Sequence, residues 1–271
     1  MTSALASSYT LTDDELQVIA NRIGVQSLPV VLAIRPRHAT YTALDTAFDA
    51  ATARLSERGL ILDGQVSPEL IATVRLLQRP DRDLSMRLVT PDGISRVSVV
   101  RNGQRMALVR RIENEILLRE IPGHAEALEA IQALLAELPG SEAAQVDPVG
   151  APLDAVRDAL FGTHDPAILA DRVRALGADT RAAMTLGAAL ATRMAFAEVV
   201  YHAIDTSEDR IERTRAAVGV FYTKRGRLVS APSLAPSGQI WATIKGASNH
   251  AITQAIRQLI ELLPCGWKGN Q

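Results

Sequence analysis

The chain has 271 residues, 47% apolar and 22% charged, a composition typical of a globular protein with a sizeable core. Its formal net charge of -1 disfavours nucleic acid as a partner, because nucleic-acid-binding proteins usually carry a basic excess on one face. A single cysteine, Cys265, excludes an internal disulfide and a cysteine-rich zinc site.

The N-terminal residues and the apolar runs predict how the chain relates to membranes. Met1 to Asp14 lack the basic start and the apolar stretch of a secretory signal. The longest apolar region, Ala182 to Phe196, contains Arg193 and falls short of the roughly 20 apolar residues that a membrane span needs. We therefore expect a cytoplasmic protein without membrane insertion, and a packed helix over Ala182–Phe196.

The first half, residues 1–140, opens with elements that have clear boundary signals. Thr12-Asp13-Asp14-Glu15 is a capping box that starts a helix running toward Arg22. The aliphatic run Leu28–Ile34 predicts a short strand. Two helices follow, one over Ala43–Glu57 and one that starts at Ser67-Pro68 and stops before Pro80.

The rest of the first half predicts an antiparallel meander and a closing helix. Asn102-Gly103 is the strongest turn signal in it. The predicted elements are strands at Leu84–Val89, Ser95–Val100, Arg105–Val109 and Glu115–Ile121, and a helix at Ala125–Leu138.

Residues 141–152 are polar and contain proline, and we interpret them as a linker to the second half, residues 153–271. The second half predicts helices at Leu153–Leu160 and Ala167–Leu176, the alanine-rich helix, and strands at Val199–Ile204, Val218–Thr223, Arg227–Ser230 and Gln239–Ile244. Ala231 to Gly238 predicts an irregular loop. The two halves are expected to form one continuous globular unit.

A pattern that occurs twice links the halves. Ala130-Ile131 is followed by Leu134-Leu135 and Leu138-Pro139, and Ala255-Ile256 is followed at the same spacing by Leu259-Ile260 and Leu263-Pro264. Both copies close a predicted helix. The chain therefore predicts an α/β (α+β) fold in which two quasi-repeated halves form a twisted antiparallel sheet flanked by helices.

Catalytic chemistry has no candidate in the sequence. Dinucleotide, phosphate and acyl-transfer motifs are absent, and the five histidines have no neighbour at metal-ligand or nucleophile-base spacing. We predict no catalytic, cofactor-binding or metal-binding residue. A duplicated fold without such a motif favours a binding surface.

The strongest binding candidate is a hairpin near the C-terminus. Lys224 and Arg227 belong to a basic cluster at its tip, which is either a solvated turn or the rim of a protein-binding face. Phe221 and Tyr222 are adjacent on the strand before it, so one points to the core and the other is available to a partner. The sequence leaves open which of the two is exposed.

Three segments of the chain resemble the EspG family, chaperones associated with the ESX (type VII) secretion systems of mycobacteria. They are Leu11–Ile34 with LTDDEL and LPVVLAI, Gly59–Arg87 with GLILDGQVSPEL and LLQRPDRDLSMR, and Gly226–Trp267 with GRLVSAPS, IWATIKG and AIRQLIELLP. The resemblance implies no enzyme activity and no cofactor. It implies a cytosolic chaperone that binds PE-PPE heterodimers through the PPE subunit and keeps them soluble.

By analogy, the contact surface involves the sheet and helices of the second half. The residues proposed for it are Phe221, Tyr222, Lys224, Arg227 and Ser230 on the strands and hairpin, with Ser233 and Leu234 on the following loop. One competing hypothesis is an enzyme or small-ligand binder with a site assembled between the halves. Another is a self-associating protein, such as a homodimer formed through an exposed sheet edge.

Overall fold

The structure is a computed structural model and describes residues 8–35, 37–205, 208 and 210–268. Contacts divide the chain into two units. The first unit takes the described residues up to Ser85, then Ser95–Leu134 and the described part of 204–210. The second takes Met86–Ile94, Leu135–Ala203 and the described residues from Ile211 onward. The predicted division at 141–152 and the quasi-repeat of whole halves stay predictions.

A large antiparallel sheet of 11 strands dominates the described residues, and helices flank it, as predicted. The helices are α1 (Asp13–Arg22), α2 (Tyr41–Glu57), α3 (Pro68–Gln78), α4 (Ala127–Leu135), α5 (Leu153–Leu160), α6 (Pro166–Ala175), α7 (Thr180–Ala191) and α8 (Asn249–Glu261). The strands are β1 (Ser8–Thr12), β2 (Ile61–Leu62), β3 (Gln65–Val66), β4 (Arg82–Thr90), β5 (Gly93–Asn102), β6 (Arg105–Ile112), β7 (Glu115–Ile121), β8 (Val149–Pro152), β9 (Arg193–Asp205), β10 (Arg210–Arg213), β11 (Val218–Thr223), β12 (Gly226–Leu234) and β13 (Ile240–Gly246). β2 and β3 form a separate two-stranded sheet.

The strands that lie wholly or partly in the first unit have the order β1-β7-β6-β5-β4, with β4 after Ser85 and β5 before Ser95 assigned to the second unit. The predicted capping box starts α1, since Glu15 N donates to Thr12 Oγ1 at 3.2 Å and Thr12 N donates to a Glu15 carboxylate oxygen at 2.8 Å. Apolar residues of α1, α2 and α3 form one core cluster with the inner faces of the strands. Its fully buried members include Leu16, Leu55 and Leu70.

In the second unit, the strand order runs β9-β11-β12-β13-β8, and β10 pairs with β9. Leu186 and Leu190 of α7 lie in a core cluster with Leu228 of β12 and Ile244 of β13. This cluster fixes one face of the hairpin formed by β11 and β12 against the helices. The other face contacts α8.

The strand predicted over Leu28–Ile34 is wrong. Residues Val30–Leu32 form a single 3-10 turn, and Ala33 after it has a left-handed backbone with φ 50°. The Arg111 side chain explains the difference, because Nη1 donates to the carbonyls of Leu32 and Ala33 at 2.8 and 2.9 Å. These carbonyls are held by a side chain of β6 and are not in a strand ladder.

The helix predicted over Ala182–Phe196 is only partly confirmed. α7 ends at Ala191, and the chain continues directly as β9 from Arg193. Phe196 lies opposite Phe221 of β11 in the strand ladder. Pairing with β11 therefore overrides the alanine-rich helical pattern over the last residues of the predicted helix.

The two terminal strands of the sheet are short. β1 has 5 residues, and Arg58 Nη2 donates to the Thr10 carbonyl at 2.6 Å. β8 has 4 residues, ends at Pro152 and pairs with β13. It lies within the segment 141–152 that the sequence predicts to be a linker. Among the described residues, no helix is long and apolar enough to cross a bilayer.

Candidate protein-binding surface

The hairpin formed by β11 and β12 carries all seven residues predicted to bind a partner. Its turn is closed by Thr223, whose Oγ1 donates to the Gly226 carbonyl at 2.7 Å and accepts from Arg225 N at 3.0 Å. Lys224 and Arg225 at the tip are exposed. The tip therefore presents two cations to solvent on a rigid, hydrogen-bonded turn.

Phe221 is half-buried on the side of the hairpin that faces the core cluster of α5, α6 and α7. Its ring lies 5.2 Å from the Phe196 ring, centroid to centroid, at an interplanar angle of 41°. A Cβ on Gly219 would lie 3.4 Å from atoms of both rings, at about van der Waals contact, so the pair packs directly over this glycine. Such tilted aromatic pairs stabilise a sheet beyond their buried area.

Tyr222, on the opposite side, is buried and acts as a structural anchor. Its hydroxyl donates to the Pro139 carbonyl at 3.1 Å, and the Arg227 guanidinium lies 6.0 Å from the ring centroid. Burial raises the pKa of the Tyr222 hydroxyl, while the hydrogen bond and the charge of Arg227 act in the opposite direction. Of the two adjacent aromatic residues, Phe221 is thus the more exposed.

Arg227 is only 3% exposed and holds three parts of the second unit together. Its Nε donates to the Ala247 carbonyl at 2.9 Å and its Nη2 to Asn249 Oδ1 at 2.7 Å, at the start of α8. Its backbone N–H donates to the Glu142 carbonyl at 2.7 Å. The arginine that the sequence offers as a surface charge is a buried scaffold residue.

Residues 139–146, which we name the strap, cross this hairpin closely. Ala144 N donates to the Arg227 carbonyl at 3.0 Å, and Ala143 forms a parallel bridge with Arg227. Gly226 permits the approach, because a Cβ there would lie 2.8 Å from Ala144 N, and its φ of +105° also favours glycine. The strap, Tyr222 and Arg227 form one rigid support under the hairpin.

The irregular loop predicted over Ala231–Gly238 is wrong for its first half. β12 continues to Leu234, where Ser233 lies opposite Trp241 and Leu234 opposite Ile240 of β13. The register pairs β12 with β11 as far as Ser230. The remaining residues of β12 are paired in the register with β13. A proline such as Pro232 is tolerated in a strand with a neighbour on one side only.

The seven predicted residues do not form one surface. Because side chains alternate along a strand, Phe221, Ser230 and Leu234 point to one face of the hairpin. Tyr222, Arg227 and Ser233 point to the other, and Lys224 lies at the tip. Leu234 is the most exposed apolar residue among the seven, at 60%.

The second unit also exposes apolar residues that the sequence analysis missed, namely Phe161, Ile168, Met184, Met194, Ile211 and Trp241. Met184 lines a groove of about 400 Å³ between α6 and α7, which we name the α6–α7 groove. A helical wheel places Thr180, Met184 and Ala188 on one side of α7, away from Leu186 and Leu190. That wheel is the signal in the sequence that would have indicated an exposed face.

The first unit has a polar groove of about 430 Å³ that bears on the ligand-binding hypothesis. Glu15 lies in it, and its carboxylate accepts from Arg54 Nε and Arg58 Nη1, each at 3.3 Å. The same carboxylate caps α1 through Thr12 N. These charges are satisfied by one another and by the helix terminus, so they stabilise the fold of the unit.

Comparisons with known proteins agree on one family. The sequence model of the EspG family matches residues 12–258. The chain is 26% identical over 269 residues to the ESX-3 secretion-associated protein EspG3 of Mycolicibacterium smegmatis, an alignment that covers 98% of this chain and 90% of the relative. It is 27% identical over 270 residues to the ESX-1 secretion-associated protein EspG1 of Mycobacterium tuberculosis, covering 94% and 87%.

A solved structure shows a similar fold. The Mycobacterium tuberculosis type VII secretion system chaperone EspG5, solved in complex with the PE25-PPE41 dimer, superposes with a TM-score of 0.81. The match covers 98% of this chain and 100% of EspG5 at 17% sequence identity. Because the family match spans nearly the whole chain, this protein belongs to the EspG family.

Proposed function

We propose that this protein is a cytosolic chaperone that binds a PE-PPE heterodimer through the PPE subunit and keeps it soluble for ESX secretion. The observation that carries the proposal is the full-length structural match to EspG5, which was solved bound to a PE-PPE dimer. Its place in the EspG family supports the same role. We assign it no catalytic activity.

The proposed contact surface is the exposed part of the β11–β12 hairpin and the face on which Leu234 lies. Leu234 offers an apolar contact and Lys224 a charge at the rim. Phe221 and Ser230 are half-buried and contribute edges of this surface, whereas Ser233, also half-buried, points to the other face. Tyr222 and Arg227 are predicted as contacts, but their role in this proposal is indirect, because they hold the hairpin in position.

An apolar client surface is an aggregation hazard unless a complementary surface covers it. A shallow surface with an apolar centre and charges at its rim is the arrangement found in protein interfaces. The exposed Leu234 supplies an apolar contact, and the cationic tip lies at the opposite end of β12. A deep cavity with converging polar groups would have favoured a small ligand.

The test is co-expression with candidate PE-PPE pairs from the same genome, followed by size-exclusion chromatography with light scattering. We expect a complex with one copy of each subunit. Leu234→Asp should weaken it by about tenfold to a hundredfold, because a buried leucine contributes about 1.5–3 kcal/mol. Leu62→Asp is the matched control, since Leu62 is also a strand leucine, is 63% exposed and lies in the first unit.

The outcomes separate the chaperone role from its surface. If no pair co-elutes while the protein is folded, the chaperone proposal fails. If a complex forms and Leu234→Asp and Leu62→Asp behave alike, the role stands and the surface is wrong. Circular dichroism melts of both variants show whether either effect comes from unfolding.

A further inference from the structure

The loop between α5 and α6 is held in place at one end of the second unit by two arginine side chains. Arg172 of α6 donates through Nη1 to the Phe161 carbonyl at 2.6 Å. Arg193 of β9 donates through Nη2 to the Thr163 carbonyl, also at 2.6 Å. The backbone of the loop is therefore tied to both a helix and a strand of the unit.

This loop presents an aromatic ring to solvent. Phe161 is 78% exposed, and Met194, which directly follows the arginine of β9, is 53% exposed. A single exposed apolar residue is ordinary in a soluble protein. Here, however, the backbone under the ring is fixed by hydrogen bonds. A side chain on a fixed backbone loses little conformational entropy when a partner buries it.

The tip of the β11–β12 hairpin lies at the same end of the unit. Lys224 N donates to the Thr192 carbonyl at 3.3 Å, and Thr192 directly precedes Arg193. The tip and the loop are thus connected through one short segment of the chain. We name the exposed residues that these contacts bring to this end the cationic end: Phe161, Met194, Lys224 and Arg225.

Both cations of this end are available to a partner. Lys224 and Arg225 are exposed, and within the part of the chain that the structure describes neither forms a salt bridge. The carboxylates nearby are engaged elsewhere. Asp165 Oδ1 accepts from two N–H groups at the start of α6 at 2.8 and 3.0 Å, and Asp158 is paired with Arg157 at 3.6 Å. The cationic end therefore combines net positive charge with exposed apolar side chains.

We propose that the cationic end binds reversibly to the surface of a membrane that contains anionic lipids. Exposed apolar side chains combined with Lys or Arg are the arrangement by which proteins enter the interfacial layer of a bilayer. Lys224 and Arg225 attract the anionic headgroups, and the ring of Phe161 enters the boundary between headgroups and acyl chains. A protein partner is less suitable, because these few groups fall short of a stable interface of about 800 Å² per partner.

The binding is weak. Each basic residue close to an anionic membrane raises the affinity about fivefold, and even a myristoyl chain alone gives only marginal binding. We therefore expect half of the protein to be bound only at roughly millimolar lipid. A chaperone of a secreted client, as proposed above, gains time beside the membrane that its client crosses. The lipid contact itself needs this chain alone and is independent of the client.

The test uses the full chain alone with extruded vesicles and flotation on a density gradient. Vesicles of phosphatidylcholine and phosphatidylglycerol in equal parts are compared with vesicles of phosphatidylcholine only. We expect the protein to float with the anionic vesicles at low salt and to stay behind with the others. Added salt should release it, because salt screens the attraction between the cations and the headgroups.

Variants locate the contact. Arg225→Gln should weaken binding about fivefold, and Phe161→Ser should weaken it about tenfold. Arg181→Gln is the matched charge control, since Arg181 is exposed and lies at the other end of α7 from Thr192. Leu62→Ser is the matched apolar control, because Leu62 is 63% exposed and lies in the first unit. Both controls should bind like the wild type.

Three results would overturn the proposal. One is a wild-type protein that stays behind with anionic vesicles at low salt and high lipid. Another is an equal loss of binding in Arg225→Gln and Arg181→Gln with matching melting curves, which would mean that only net charge matters. The third is a weaker PE-PPE complex in Phe161→Ser and Arg225→Gln with unchanged flotation, which would assign this end to the client. Failure of the client assignment alone leaves the flotation result unaffected.

Discussion

Arg227→Met is the sharpest test of the buried support under the hairpin. Methionine approximates the length of the arginine stem but removes the donors that reach the Ala247 carbonyl at 2.9 Å and Asn249 Oδ1 at 2.7 Å. Ala247 is completely buried, so its carbonyl loses a hydrogen bond that water cannot readily replace. Asn249 is exposed and can bind water instead.

The magnitude follows from these two partners. A buried acceptor that loses its donor costs about 1–3 kcal/mol, and the hydrogen bond to the exposed amide adds about 0.5–1.5 kcal/mol. Loss of the cation above the Tyr222 ring adds a fraction of that. We expect the free energy of unfolding to fall by about 2–4 kcal/mol, a large share of the stability of an ordinary domain.

The assay is urea unfolding followed by tryptophan fluorescence. The chain has two tryptophans, and Trp241 and Trp267 both lie in the second unit, so the signal reports on the unit that contains Arg227. With about 1–3 kcal/mol per molar urea for m, the midpoint should fall by about 1–2 M. Arg225→Met, at the exposed tip of the same hairpin, should stay within about 0.5 kcal/mol of wild type.

The result that would refute this reasoning is an Arg227→Met midpoint equal to that of Arg225→Met. It would mean that Ala247 and the start of α8 are held without the guanidinium. A lower m value in the variant would point to a different effect, a more compact denatured state or a loss of two-state behaviour.

Two further predictions concern the same support. Gly226→Ala should destabilise the second unit more than Gly238→Ala in the same fluorescence assay. Both glycines have positive φ, but only a Cβ at 226 would meet the backbone of Ala144. Equal losses of stability would show that the strap can move aside. Because the pKa of the Tyr222 hydroxyl is raised in the folded state, this hydroxyl loses its proton at lower pH in the unfolded state. The free energy of unfolding should therefore decline as pH rises above about 10. Tyr222→Phe should flatten that part of the pH–stability curve. An identical slope in the phenylalanine variant would contradict this assignment.

Local signals in the sequence were sufficient where the deciding contacts are also local. The capping box at Thr12 and Glu15 joins residues three positions apart, and it starts α1 as predicted. Ser67 likewise caps α3 through Leu70 N, with Pro68 as its first residue. The turn after Asn102 closes the β5–β6 hairpin in the expected place, with Gly103 at φ 60°.

The predictions that failed depended on partners far along the chain. The run Leu28–Ile34 resembles a strand, but its carbonyls are held by Arg111, 79 and 78 positions away from the two acceptors. Arg227 sits beside a turn and resembles a surface charge, but its side chain reaches Ala247, 20 residues later. Neither contact leaves a periodic signal, so only the folded structure reveals them.

The sequence predicts which hairpin residues are candidates for binding, but it does not predict the face on which each of them lies. The sequence identifies Phe221 and Tyr222 as an inside–outside pair without saying which is inside. The register Tyr222↔Arg227 and Phe221↔Leu228 decides it, together with the hydroxyl contact to Pro139. Which residues touch a client stays a prediction.

The two terminal strands of the large sheet affect how readily its edges could pair with another polypeptide chain. Thr10 on β1 has its carbonyl occupied by Arg58, and β8 stops after 4 residues at Pro152. Free edges of this kind are the usual templates on which misfolded chains grow into fibrils. Both terminal strands therefore offer a pairing partner less free backbone than a long, unoccupied edge would offer.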